Sequence, residues 1–407
     1  MDITPVPPSL LGRWDVFFIE VYVMKKVWKF LSYVLVAALA SAVTLAVSGV
    51  REQAPSKLTE LADLIEERFI GEADRTAMED AAAEAMVDSL GDRWSYYIPA
   101  DEYEAYKEQM NNAYVGIGIT IQLLEDDAGI EVVKVNEGGP AEAAGMLAGD
   151  VIIEIAGQDA RGMSTSDARE LVRGEENTQV AITVLRDGVE IPLSVTRMQV
   201  QTIVAEGQLL EGNVGLITIT NFDTRCADET IAAIETLLEQ GAEALVFDVR
   251  NNPGGYKHEL VEVQDHLLPE GPLFRSESYT GQVTVDESDA DCLEIPMAVL
   301  VNGDSYSAAE FFAAALREYD WATVVGTQTC GKGYYQNTVL LSDGSAVGLS
   351  MGKYSTPNGV CLADVGGLTP DIIVEVDDDT AWEIYTGTMD PAQDPQIQAA
   401  VEVLLGK

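Results

Sequence analysis

Positive charge is scarce in this chain. Its 407 residues carry 24 lysines and arginines against 68 aspartates and glutamates, a formal charge of −44. A surface of that sign repels phosphate backbones, which argues against nucleic acid as a partner. Histidine is scarcer still, with only His258 and His266, and neither stands in the H-E-x-x-H spacing of a zinc protease. The four cysteines, Cys226, Cys292, Cys330 and Cys361, are far apart and form no C-x-x-C pair. A clustered structural zinc site is therefore excluded, and a mechanism without metal or cofactor is favoured. Internal repeats and low-complexity tracts are lacking too. With 47% hydrophobic residues in regular Val, Ile and Leu runs, extended disorder is excluded, and the length predicts two or three domains.

One uncharged run stands out. The 21 residues Phe30–Val50 carry no charge, with Lys25, Lys26 and Lys29 before them and Arg51 and Glu52 after. About 20 apolar residues span a bilayer and flanking lysines hold that end in the cytoplasm, whereas a signal-peptide core is only about 7–15 long. Residues 24–50 thus read as an uncleaved membrane anchor, with a cleaved signal segment as the second reading. Either one puts everything after Val50 on the extracytoplasmic side of the bacterial cell membrane, anchored or secreted. Residues 1–23 fit poorly ahead of such a segment and read as an over-extended start before Met24.

Beyond the run, residues 55–112 read as an N-terminal helical region, since Leu61, Leu64, Ile65 and Phe69 recur at helical spacing and Met78–Leu90 resumes after Gly71. Residues 113–200 change to short β-branched runs (Gly116–Leu123, Ile130–Val135, Asp150–Ile155, Gln179–Leu185 and Ile191–Thr196) broken by a helix near Ser164–Arg173. From 201 to 407 strand and helix alternate, as layered α/β folds do. Val214–Thr220, Ala244–Val249, Met297–Asn302 and Thr323–Gly326 read as buried strands. Ala227–Gln240, Ser307–Tyr319 and Asp394–Leu405 read as helices, the second apolar nearly all round.

Three stretches carry chemistry. In Tyr114-Val115-Gly116-Ile117-Gly118-Ile119 the glycines let backbone N–H groups converge on a carboxylate, and a peptide can add to the following strand against the helix that carries Leu171. Asp248-Val249-Arg250-Asn251-Asn252-Pro253-Gly254-Gly255 ends a buried strand in a sharp turn whose N–H groups suit an oxyanion hole, although an ordinary strand-to-helix turn has the same signature. Val301-Asn302-Gly303-Asp304-Ser305-Tyr306-Ser307-Ala308-Ala309-Glu310 repeats the strand–turn–helix theme. A serine there is a common N-cap, but it also stands at the positive end of a helix dipole, where an attacking alkoxide is favoured. Serine needs a base. His258 and His266 fall on an acidic, exposed helix, which leaves Lys332 in Gly331-Lys332-Gly333-Tyr334-Tyr335-Gln336. Burial that takes a lysine from about 10.4 toward 7 disfavours its charged form by roughly 4–5 kcal/mol. Gln336 can orient the amine without keeping it protonated, as a carboxylate there would.

The glycine loop, Gly139-Pro140-Ala141-Glu142-Ala143-Ala144-Gly145 and Gly149-Asp150-Val151-Ile152, in that order, resemble a PDZ domain. With DVRNNPGG, VNGDSYSAAE and GKGYYQ behind them, the chain from about residue 57 onward resembles the C-terminal processing peptidases, the tail-specific serine proteases. The resemblance implies an α/β fold: a crotonase/ClpP-like βαβ protease core with an inserted or preceding mostly-β PDZ domain and N-terminal helices. It implies Ser307 as nucleophile, Lys332 as general base and Gln336 as its orienter. The oxyanion hole falls to the N–H of Ala308 with that of Gly254 or Gly255, and Ser305 is the competing nucleophile. Peptide binding falls to Val115, Gly116, Ile117, Gly118, Ile119 and Leu171. Arg173 is implied to couple tail binding to the core, a role that a helix C-cap matches evenly. Substrates would be exported proteins or peptides with apolar C-termini, and a homo-oligomer is left open. A catalytically idle PDZ adaptor at the membrane is the alternative, and a crotonase-type acyl-CoA enzyme shares only the core. Three positions depart from the family pattern, Tyr306 and Ala309 before the glutamate and Cys330 before the lysine, and none removes a catalytic atom. If Cys330 and Cys361 approach within about 7 Å between Cα atoms, a disulfide could pin the Lys332 loop with Cys226–Cys292 as companion; two reduced thiols are the plainer expectation.

Overall fold

The computed structural model describes residues 56–124, 128–136 and 138–406, together with 28, 29, 32, 34 and 35. Apart from those five residues, the anchor expected at 24–50 lies outside the described residues, as does the start at 1–23. Contacts divide the chain into Met1–Ala83 and Glu84–Lys407. In the first unit the helix Lys57–Arg68 is capped by Ser56, whose Oγ accepts from Thr59 N at 3.2 Å. Arg75, opening the helix Arg75–Asp88, binds Asp63, Glu66 and Glu79 at 2.7–3.1 Å.

The second unit begins its β-structure with Tyr96–Ile98, which pairs with the strand Ala346–Ser355 of a five-stranded sheet. The chain then leaves along Ala113–Gly116 and returns along Met198–Gln201, and these two strands pair antiparallel. Everything between them is therefore an insertion whose two ends are stitched together. That insertion is a sheet in the order Ile119–Leu123, Ile130–Val135, Val151–Ile155, Gln179–Arg186, Val189–Thr196, antiparallel throughout. Ile130, Val132, Ile152, Ile155, Ile182 and Val184 point to one buried core under the helix Thr165–Val172. Alternation along each strand sends the other residues to solvent, as expected of a sheet with one covered face.

The remaining chain builds a six-stranded sheet in the order Ala205–Leu210, Val214–Ile219, Ala244–Asp248, Met297–Val301, Ala322–Gly326, Ile372–Ile373. The first pair is antiparallel and the rest are parallel. Ala244–Asp248 and Met297–Val301 are buried at every residue, which is why they read as unbroken apolar runs: both faces are covered. Phe247, Val299 and Val301 face the helices Cys226–Glu239, Lys257–Leu267 and Ala308–Glu318. Val246, Ala298 and Leu300 face the helix Pro395–Leu404 through Ile397 and Ala400.

A buried ion pair locks the last helix to the end of a central strand. Arg250 Nε donates to Asp248 at 2.9 Å, and its Nη1 reaches Asp394 at 2.8 Å and Gln396 at 2.9 Å. Asp394 also caps the helix, accepting from Gln396 N at 2.9 Å. All four cysteines are free, so neither pairing forms. Cys226 is buried at the start of its helix with its thiol 3.8 Å from Thr230 Oγ1, and Cys330 Sγ accepts from Arg93 Nη2 at 3.2 Å.

Replacing Asp394 by alanine removes both the cap and a partner of a buried guanidinium. Chemical denaturation should show a loss of about 3–5 kcal/mol, and Asp394→Asn, which keeps a capping oxygen, should lose less.

Candidate active site

The strands Ala244–Asp248 and Met297–Val301 end side by side, and the two loops that follow are fastened by asparagines. Asn251 N donates to Asn302 Oδ1 at 2.9 Å, and Asn302 Nδ2 donates to Asn251 Oδ1 at 2.8 Å. Asn252 spans both loops: its Nδ2 donates to Ile219 O at 2.8 Å and its carbonyl accepts from Tyr306 N at 3.1 Å. This stitching presses the glycine turn against the serine. A β-carbon on Gly254 would stand 2.8 Å from Ala308 N and from Ser307 Cβ, and one on Gly255 would stand 2.2 Å from Phe222 C. Only glycine fits at either place.

Ser307 heads the helix Ala308–Glu318 with φ 58° and ψ −125°, a region that a side-chain-bearing residue enters at a cost of about 1–3 kcal/mol. Sharp strand-to-helix turns of this sort present a nucleophile at the helix N-terminus. The N–H groups of Ala308 and Gly255 have no hydrogen-bond partner among the described residues, whereas Gly254 N donates to Asn252 Oδ1 at 2.8 Å. The two open donors beside Ser307 are thus those of Ala308 and Gly255. Ser305 is ruled out as nucleophile by its burial and its bonds. It has no exposure, its Oγ donates to Val249 O at 2.6 Å, and it accepts from Asn302 N at 3.0 Å.

Lys332 and Gln336 line the same cavity of about 1050 Å³ as Ser307, Gly254 and Gly255. Burial pulls the Lys332 ammonium below the ordinary lysine value, and Arg93 adds to this, while Cys330, Asp92 and Glu310 oppose it. The amine lies 4.7 Å from the Trp94 ring centroid and 5.7 Å from that of Tyr306. No hydrogen bond joins Lys332 Nζ to Ser307 Oγ or to Gln336 among the described residues. Gln336 is turned elsewhere, its Nε2 donating to Ser350 Oγ at 2.9 Å and Tyr334 O at 3.2 Å. The cause is register. Gln336 sits opposite Ser350 beside a bulge in the strand pair Tyr334–Leu340 with Ala346–Ser355. His258 reaches the cavity rim with its side chain 70% exposed, its Nε2 3.6 Å from the Glu259 carboxylate.

Sequence reasoning left Glu310 without a role, and the structure makes it the junction of the site. Fully buried, its carboxylate accepts from Ser307 N at 3.0 Å, Lys332 N at 2.8 Å, Gly331 N at 2.7 Å and Thr329 Oγ1. Burial raises its pKa and these four donors pull it back. Its signal was present: a glutamate three residues after a serine at a helix start is the capping-box spacing. Trp94 had no such signal, since only tertiary structure brings it to Lys332. Asp223 was also missed; it lines the cavity and is 7% exposed.

The insertion carries a second cavity, of about 380 Å³, between the strand Ile119–Leu123 and the helix Thr165–Val172. Gly116, Ile117, Gly118 and Ile119 line it as expected. Leu171 and Val115 do not. The helix turns Ala168, Arg169 and Val172 toward the groove and Leu171 toward a separate hollow with Asp167 and Glu170; strand alternation turns Tyr114 and Gly116 inward and Val115 away. Arg173 lines the groove, but its guanidinium makes no hydrogen bond or ion pair among the described residues. Arg173 is the C-cap residue of that helix through its backbone, its N–H donating to Arg169 O at 2.9 Å, while the side-chain donors at that end come from Arg197, which donates to Val172 O at 2.6 Å and Leu171 O at 3.2 Å.

Comparison with known proteins agrees with this architecture. The model of peptidase family S41 matches residues 213–374, and that of the PDZ domain matches residues 131–186. The chain is 30% identical to the carboxy-terminal processing protease CtpA of Bacillus subtilis over 370 residues, 87% of this chain and 79% of that one. It is 30% identical to the carboxyl-terminal-processing protease of Synechocystis over 351 residues, 84% and 81% of the two chains. Among solved structures it is similar in fold to a putative S41 protease from Bacteroides fragilis, with a TM-score of 0.51 and 18% identity over 87% of this chain and 98% of that one.

Because Glu310 holds both the serine and the lysine segment, Glu310→Ala should lower the melting temperature and cut activity about 100-fold, the scale expected when reacting groups lose their positions. Glu310→Gln, with one acceptor oxygen for four donors, should fall between it and the parent in both measurements.

Proposed function

Because the chain belongs to the carboxy-terminal processing proteases of peptidase family S41, we propose that it cleaves exported polypeptides with Ser307 as nucleophile and Lys332 as general base. The observation that carries this reading is the shared cavity: a strained serine at a helix start, two open N–H groups beside it and a lysine depressed by burial.

In the proposed reaction Ser307 Oγ attacks the scissile carbonyl carbon while its proton passes to neutral Lys332 Nζ. The carbonyl oxygen gains the negative charge and takes hydrogen bonds from Ala308 N and Gly255 N. Collapse of the tetrahedral adduct breaks the C–N bond, and Lys332 returns the proton to the departing amine. Water then attacks the acyl-serine ester, with Lys332 taking its proton and handing one back to Ser307. For this the amine swings from the Trp94 and Tyr306 rings toward Ser307, which fits a substrate-filled cleft better than an empty one. For Gln336 to orient the amine, its amide has to leave Ser350.

The glycine groove supports tail recognition. The N–H groups of Ile117 and Gly118 have no hydrogen-bond partner among the described residues and are suited to a terminal carboxylate, while an apolar tail extends along Ile119–Leu123. The uncharged run at 30–50 supports a membrane anchor and work on the extracytoplasmic side.

Ser307→Ala and Lys332→Ala should each abolish hydrolysis of an unfolded protein while leaving circular dichroism unchanged. Near-normal activity in Lys332→Ala would remove the lysine from its role. Lysine is a base only when neutral, and its depressed pKa means that the neutral fraction grows at lower pH than for a free lysine, titrating near 10.4. The rate should therefore climb with pH above neutrality, and a steady fall there in a folded enzyme would contradict the assignment. For the groove, amidating the substrate C-terminus should lower kcat/KM about tenfold, and Arg173→Ala should slow tailed substrates with little change in melting temperature; equal rates on amidated and free tails would argue against recognition there.

A further inference from the structure

The proposed chemistry uses a serine, a lysine and backbone donors, yet the same cavity holds a carboxylate that it leaves idle. Asp223 follows Phe222, which is bridged to the glycine turn: Phe222 N donates to Gly254 O and Tyr256 N donates to Phe222 O, each at 2.7 Å. The two glycines lie between it and the nucleophile in the lining of one cavity. A β-carbon on Gly254 would touch Ser307, and one on Gly255 would stand 2.6 Å from Asp223 N. A substrate whose carbonyl oxygen sits between Ala308 N and Gly255 N therefore has its neighbouring residue beside Asp223.

The carboxyl group itself has no partner. Its Oδ1 is sealed from solvent without a hydrogen bond, and neither oxygen receives one among the described residues. Burial followed by the like charge of Glu259 pushes it up to about 7. Glu259 is not free to relieve it, since its oxygens accept from Arg225 N at 3.1 Å and Ala227 N at 2.8 Å. Nor do the cavity's lysines reach it: Lys257 is held by Asp286 at 2.8 Å, Lys107 by Glu104 at 2.6 Å, and Lys332 lies over its aromatic rings. A buried, unpaired polar group is costly, by about 1–3 kcal/mol and more when charged. Next to an oxyanion it also repels the charge that the reaction develops. A cation supplied from outside removes both penalties.

We infer that Asp223 forms a substrate subsite that pairs with a cationic side chain, lysine or arginine, on the residue next to the scissile bond. The inference rests on the peptidase reading above, and it makes the cleft selective for basic polypeptide segments rather than tolerant of any unfolded chain. The pairing occurs only in the complex, and it discriminates by leaving the carboxylate unpaired when the substrate is neutral and by like-charge repulsion when it is acidic.

The test uses the full chain and three matched peptides that differ only at the residue flanking the cleaved bond, on either side: lysine, norleucine or glutamate. The wild-type protein should show kcat/KM about tenfold higher for lysine than for norleucine, with glutamate lowest. In Asp223→Asn the lysine-to-norleucine ratio should collapse to about one, and in Asp223→Lys the order of lysine and glutamate should reverse; melting temperatures close to wild type show that both variants fold. Binding of the same peptides to Ser307→Ala should rank identically by fluorescence anisotropy, a readout that needs no chemistry. Equal wild-type rates and equal binding for the three peptides overturn the subsite while leaving the peptidase intact. If the peptides bind in the expected order but none is hydrolysed, the subsite stands and the peptidase reading fails.

Discussion

The Glu310 carboxylate is the one interaction on which the site depends. Ser307 and Lys332 lie 25 residues apart, on loops that leave different strands, and Ser307 is held in a backbone conformation that opposes itself by about 1–3 kcal/mol. A single buried carboxylate receives the N–H of Ser307 on one side and those of Gly331 and Lys332 on the other. Hydrogen bonds to a charged group contribute about 1.5–3 kcal/mol each, so three of them exceed the strain. The fourth donor, Thr329, extends the hold to the residue whose hydroxyl also accepts from Leu368 N at 2.7 Å. The core sheet brings the loops close, and Glu310 fixes what they do once there.

Around that junction two tendencies act on Lys332 in opposite directions. Burial favours the neutral amine, and the faces of Trp94 and Tyr306 favour the cation. Arg93, stacked 4.1 Å over Trp94 and bound to Cys330, adds a like charge that sides with burial. Tyr306 and Cys330, two of the three departures from the family pattern, fall in this shell, where they shape the lysine's surroundings without supplying a reacting atom. The segment carrying Arg93 and Trp94 precedes the PDZ insertion in sequence, and its strand Tyr96–Ile98 is anchored on the peptidase part, so the insertion is bounded on both sides by chain that belongs to the catalytic half.

Much of this was legible in the residues, for identifiable reasons. The strands Ala244–Asp248 and Met297–Val301 are buried on both faces, and their unbroken apolar runs state it. The insertion's strands alternate and its turns carry glycine, so they read cleanly. The second sheet did not: Gly271–Ser278, Val283–Ser288 and Tyr334–Leu340 mix exposed polar and apolar residues and have no period that separates them from loop. Motif alone singled out Ser307, Lys332 and the glycines Gly254 and Gly255, which line one cavity. The roles of Gln336 and Arg173 depend on register and on a neighbour, Ser350 in one case and Arg197 in the other, that spacing alone does not reveal. Leu171 was misplaced by a quarter turn of helix, because the segment's apolar residues serve both the groove and the core behind it.

Burial makes Lys332, in the same cavity as Ser307, give up its proton more readily than a free lysine, and this can be measured on the amine itself. Titration of isotope-labelled lysine side chains by NMR in the Ser307→Ala protein, with Lys332 assigned by its loss in Lys332→Arg, reads the proton directly. Lys353, raised by Tyr334 and Asp364, serves as the internal comparison. The account predicts that Lys332 titrates well below Lys353 and below a free lysine; a Lys332 resonance that titrates together with Lys353 or above it would contradict it.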